Sequence, residues 1–169
     1  GPVMIESIED YKKRIKSYVA DSDPLTLQQE MPATLKRLLA TVNPDKLDVK
    51  PAADKWSIRE IVAHLADDEL VGAYRIRLIL SSPGTEIQAF DQAQWAITGK
   101  YTSIDVNASL ELYTLLRQSN LELFKILSSE QWKLYGVHAE RGIETIDDIM
   151  VYYAGHDINH LKQIEAILG

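Results

Sequence analysis

A chain of 169 residues with a 46% hydrophobic share is long enough to bury one self-sufficient core. Its net charge of −7 argues against general nucleic-acid binding, and its lack of cysteine excludes disulfides, zinc–thiolate sites and an internal thiol nucleophile. No stretch approaches the apolar run of a membrane span and no secretory pattern opens the chain, so a cytoplasmic location is the default expectation.

Gly1-Pro2-Val3 ahead of Met4 reads as a protease-cleavage scar, leaving residues 4–169 as a single domain. From there helical periodicity dominates. Ile5, Ile8, Tyr11, Ile15 and Tyr18 form a first stripe. Leu35, Leu38, Leu39 and Val42 form a second, on a segment that Pro32 is expected to break or restart. Asn43-Pro44 opens a loop to Trp56. Ser57 then caps a third helix, with Glu60 completing a capping box. Ile58, Ile61, Leu65, Gly72, Ile76 and Ile79 follow one face of it until Ser81-Ser82-Pro83-Gly84 stops it.

Residues 81–102 make a long connection carrying Phe90, Asp91 and Trp95, of a length that often covers a functional site. Another helix is expected from about Ser103 to Leu127, with Ala108, Leu112, Leu115, Ser119, Leu123 and Ile126 as its buried seam. Residues 128–144 form a second long connection, in which Val137 and His138 before Gly142 can hold a short extended piece. Thr145 caps the last helix, and Asp147 and Asp148 in its first turn favour the helix dipole. Ile146, Ile149, Tyr153, His156, His160, Gln163 and Ile167 follow a three-four repeat along it. With no convincing strand, the expectation is an all-α four-helix bundle, up-and-down or crossover, with an extra N-terminal helix and long covering loops.

The last stripe carries chemistry. His156 and His160 stand one turn apart where a bundle helix would place Leu. Two buried imidazoles without a shared partner would each cost stability, and a metal removes that cost. His64, on another helix, supplies a third nitrogen. Neutral imidazoles suit Zn, Ni, Fe and Cu, and three ligands leave coordination positions open, as catalytic sites do. The plainer alternative is a set of core histidines with satisfied ring nitrogens.

Asp68 follows His64 by one turn. It is either an outer acceptor that orients an imidazole, a base acting on water or thiol, or a carboxylate at a cavity mouth without a role. Of Asp67, Asp68 and Glu69, one is expected to be a solvated surface charge. Asp157 points about 100° away from His156 and falls outside the ligand set. Gln163 can hydrogen-bond within the site, His138 is expected to be an outer residue, and Tyr74, Asp91 and Trp95 line a pocket or join the core.

Trp56-Ser57-Ile58-Arg59-Glu60 through His64-Leu65-Ala66-Asp67-Asp68-Glu69 resembles the W-S-x-R-E-x-x-x-H-L-A-D-x-E signature of the DinB superfamily. Ala73–Arg77, Phe90–Trp95, Val137–Gly142 and the closing His156-Asp157-Ile158-Asn159-His160 resemble the following segments of its YfiT-like branch, described as metal-dependent hydrolases or bacillithiol transferases. The similarity runs from about residue 40 onward. It implies a four-helix bundle with a divalent metal, Zn or Ni, on His64, His156 and His160, often in a homodimer. Members often carry further histidines where this chain has Asn159 and Gln163, so any proton-transfer role of those side chains is not carried over.

The expected function is therefore a divalent-metal-dependent enzyme. The metal activates a water or a low-molecular-weight thiol cosubstrate, Asp68 serves as base or orienting group, and a small electrophile or hydrolysable molecule is the substrate. Neither nucleic acid nor membrane is an expected partner. The alternative is a metal-binding stress-response module without turnover.

Overall fold

The computed structural model describes residues 6–169, so the cleavage scar and Ile5 of the first stripe lie outside the described residues. Six α-helices dominate: α1 (Ile8–Val19), α2 (Pro24–Ala40), α3 (Ile58–Ser81), α4 (Gln92–Thr98), α5 (Val106–Lys125) and α6 (Ile146–Leu168). Local chemistry sets their starts. Ser57 with Glu60 and Thr145 with Asp148 form reciprocal capping boxes on α3 and α6, and Asp23, Asp91 and Asp105 cap α2, α4 and α5. No described helix is long and apolar enough to cross a membrane.

Four helices form the bundle. The main packing pairs are α3 with α5, α5 with α2, α2 with α6, and α6 with α3. Consecutive α2 and α3, and likewise α5 and α6, therefore sit diagonally, which is a crossover rather than an up-and-down arrangement. Helix α1 lies against α6, where Gly155 is required: a methyl group there would collide with the Ile15 backbone carbonyl. Two apolar clusters fill the interior. One joins Leu35, Ile61, Leu65, Tyr113 and Ile164; the other joins Ile79, Phe124, Ile146 and Met150.

Three features depart from the sequence reading. The extended piece expected at Val137 and His138 is part of a small sheet that was not expected: β1 (Glu86–Ile87) pairs in parallel with β2 (Tyr135–His138), which pairs antiparallel with β3 (Gly142–Thr145). The two long connections thus pin each other over one end of the bundle. Helix α2 runs unbroken through Pro32, because Arg117 Nη1 donates to the Gln28 carbonyl that residue 32 cannot serve. The seam of α5 is also rotated. Val106, Ser109, Tyr113, Arg117, Asn120 and Phe124 face inward, while Leu115 and Ile126 are 58% and 76% exposed.

The reason for that rotation is a buried charge network. Arg117, fully buried, bonds Glu69 at 2.8 and 2.9 Å and Asp157 at 2.7 and 3.2 Å, while Tyr113 donates to Asp157 and Asn120 to Glu69. A buried carboxylate pair needs a buried cation, so α5 turns Arg117 inward and leaves Leu112, Leu115 and Ile126 exposed. None of the three adjacent acids of α3 is a solvated charge: Asp67 accepts from the Tyr101 hydroxyl at 2.5 Å, Glu69 joins this network, and Asp68 is buried.

Candidate metal centre

Helices α3 and α6 meet with His64 facing His156 and His160, all three buried. His156 Nε2 lies 3.1 Å from His64 Nε2 and 3.1 Å from His160 Nε2. Two Zn–N bonds of about 2.0–2.1 Å at a tetrahedral angle set their nitrogens about 3.3 Å apart, so this spacing suits a shared ion.

The outer partners strengthen that reading. Gln163 Oε1 lies 2.8 Å from His160 Nδ1, and Asp68 Oδ2 lies 3.4 Å from His156 Nδ1. An amide oxygen and a carboxylate both favour a proton on the Nδ1 they face. In neutral His156 and His160 the bare Nε2 lone pairs then face one another, a repulsive arrangement that a cation between them relieves. Burial keeps the rings neutral: it pulls His64 and His156 well below the ordinary histidine value and His160 down to about 4. Three uncharged imidazoles with converging Nε2 atoms can hold a divalent metal ion.

Asp68 stands one turn beyond His64, and its environment is unusual for a carboxylate. Burial, with the neighbouring Glu69 charge, pushes it up to about 7, while Arg75 and Arg141 pull it partly back. The Tyr153 hydroxyl donates to the Asp68 carbonyl at 2.8 Å, and Gly72 leaves room for that ring. Trp56 packs against the other side of the centre, its ring 4.7 Å from His64 and 6.4 Å from His160.

Two hollows reach the centre. A cavity of about 290 Å³ opens beside His156 and Asp68, walled by Arg75, His138, Arg141 and Tyr152. A wider depression of about 500 Å³ lies over His160, with Trp56, Asn159 and Gln163. Tyr11 of α1 and Gln92 line both.

The structure gathers some expected residues and separates others. Asp157 turns away into the Arg117 network, and Asn159 is held by Arg14 at 2.8 Å rather than by a ring of the centre. His138 is no ligand: its Nδ1 accepts from the Glu140 and Arg141 amides. Asp91 lines the cavity while capping α4, and Trp95 and the 66%-exposed Tyr74 line an adjoining groove. Tyr11, Arg75, Arg141 and Tyr152 escaped the sequence reading. Two of them had a signal: Arg75, seven residues after Asp68, continues the same stripe of α3, and Tyr152 stands one turn before His156 on α6.

This helical frame with its histidine centre defines a known class. A family model of the DinB superfamily matches residues 27–164, and the chain belongs to that superfamily. Among its relatives, the candidate metal-dependent hydrolase YfiT of Bacillus subtilis is 26% identical over 159 residues, covering 93% of this chain and 89% of that one. A candidate metal-dependent hydrolase of Oceanobacillus iheyensis is 26% identical over 167 residues, covering 99% and 88%. The solved YfiT structure superposes with a TM-score of 0.80 at 24% identity, covering 99% of this chain and 90% of that one, so the bundle topology is shared. A mycothiol-dependent maleylpyruvate isomerase shares the fold more loosely, with a TM-score of 0.62 at 13% identity over 82% of this chain and 58% of that one.

Proposed function

We propose that this chain is a metal-dependent enzyme that joins a nucleophile to a small electrophile, with His64, His156 and His160 holding the ion and Asp68 handling the proton. The observation that carries the reading is the convergence of three neutral Nε2 atoms whose opposite nitrogens, in two of the rings, face Gln163 and Asp68. When bound, a divalent ion at three imidazoles supplies Lewis acidity that brings a water or thiol to its nucleophilic form near neutral pH.

The chain's own groups do the rest. Gln163 and Asp68 orient the rings. Asp68, raised to about 7, is suited to accept a proton near neutrality and return it to a leaving group. Tyr153 fixes the turn that carries it. Trp56 keeps one flank of the histidines apolar.

The two hollows favour a two-component reaction, with one partner entering beside Asp68 and the other over His160. In a chain without cysteine, a thiol nucleophile must come from a cosubstrate. We therefore favour thiol transfer over hydrolysis. The homologues described as hydrolases keep water as the competing nucleophile.

Metal-loaded protein incubated with cysteine, glutathione or bacillithiol and a chromogenic electrophile should accelerate consumption of the electrophile for at least one thiol, and His64→Ala should abolish the effect. Silence with every thiol, alongside metal-dependent ester or amide hydrolysis, would replace transfer by hydrolysis.

A further inference from the structure

We propose that Arg75 is the anion-recognising residue of this site, so that one substrate carries a carboxylate or phosphate group several bonds from its reacting atom. The inference extends the metal-centre reading and rests on it for the word substrate.

Arg75 is only 7% exposed, yet among the described residues it has no ion-pair partner. The two other arginines around the centre, buried Arg117 and half-buried Arg141, are neutralised within the fold, Arg117 by Glu69 and Asp157 and Arg141 by Glu144. Arg75 has only a carbonyl and a ring. Its Nη2 donates to the Gln88 carbonyl at 2.8 Å, and its guanidinium lies 5.6 Å from the Phe90 centroid.

Those contacts engage one N–H and one face of a group with five donors. No described side-chain nitrogen or oxygen sealed from solvent lacks a partner, so its remaining donors are reached from the hollows that Arg75 lines. Asp68, Asp91 and Glu140 also line the cavity, but none is within ion-pair distance of Arg75. A buried, unpaired guanidinium is costly unless an anion completes it, and its planar fork fits a carboxylate or phosphate through two parallel bonds.

Placement on α3 sets the shape of the ligand. Arg75 lies seven residues after Asp68 and eleven after His64, within about 20° of each around the helix axis. His64, Asp68 and Arg75 therefore form one stripe, with about 10 Å of rise between the last two backbones. Phe90, Tyr152 and Tyr153 wall the space between. A ligand reaching from Arg75 to the histidines has an anionic end, a short partly apolar middle and a reactive end.

The test uses the full chain, metal-free and zinc-loaded, titrated calorimetrically at low ionic strength with succinate and with inorganic phosphate. Each preparation's zinc content and circular dichroism are measured in parallel. At least one anion should bind both forms, and Arg75→Gln should weaken it at least about tenfold with zinc content unchanged. Arg59→Gln, at a guanidinium that pairs with Asp48 and lines neither hollow, should change it less than about threefold. If Arg75→Gln does not fold, Arg75→Lys takes its place, keeping the charge, losing the fork and weakening binding by at least about threefold.

Wild-type affinity in the substituted protein, or a zinc-loaded wild type that binds neither anion, would overturn the proposal while leaving the metal centre intact. Arg75-dependent anion binding in a protein that takes up no metal would support the subsite and sink the enzyme reading instead.

Discussion

Arg117 Nη1 donates at 3.0 Å to the backbone carbonyl of Gln28, one turn before Pro32 on α2. In an unbroken helix that oxygen would accept from the amide of residue 32, which proline lacks. One guanidinium thus repairs α2 and, through Glu69 and Asp157, ties it to α3 and α6. Arg117→Met should therefore destabilise the fold by about 3–5 kcal/mol, since two buried carboxylates lose their cation together. Urea denaturation reads that loss. A change under about 1 kcal/mol would mean that the network contributes little net energy.

Metal uptake should be one ion per chain. Zinc or nickel at a free concentration a hundredfold above its Kd should stabilise the wild type by about 2.7 kcal/mol. His64→Ala, His156→Ala and His160→Ala should each remove most of that increment. Elemental analysis after dialysis, on protein purified without a nickel column, together with thermal melts checks both points. Retention of a full equivalent of metal by all three variants would place the ion elsewhere.

Asp68 should make metal-free stability depend on pH. Its folded value of about 7 lies above the ordinary carboxylate value of 3.8, so between the two the native state holds a proton that the unfolded state has released. Stability from this group is complete below pH 3.8 and is lost as pH rises through about 7. Asp68→Asn mimics the neutral acid, so its stability advantage over wild type should widen across that window and level off above it. The full difference should be up to about 4 kcal/mol, at ~1.4 kcal/mol per pKa unit. Parallel denaturation curves at pH 5 and pH 8 with no change in the difference would refute the assignment.

Gly155→Ala should loosen α1 from α6, because the new methyl group meets the Ile15 carbonyl. The expected cost is about 1–3 kcal/mol, with faster amide exchange concentrated in residues 8–19. Tyr11, on α1, lines both hollows, so turnover should fall while metal content holds.

What the sequence made legible followed from local rules. The spacing of His156 and His160, the Ser57–Glu60 box and the Thr145 cap each act within one or two turns, so the ligand-bearing helices were readable in register. What it concealed depends on distant partners. The apolar spacing through Leu112 and Leu115 pointed to the wrong face of α5, because Glu69 and Asp157, on other helices, draw Arg117 inward. β1 has two residues and pairs with a strand about fifty positions on, which no local periodicity reveals. Pro32 looked like a break because the donor that replaces its missing amide is 85 residues away in the chain.

The diagonal order of the helices brings His64 beside His156 across a sequence separation of 92. Any ion gripped there closes more than half of the polypeptide into a ring, in a chain with no cysteine to do so covalently. It would be a cross-link released by chelators or acid and untouched by reductants, so the integrity of the fold would follow metal supply rather than redox state.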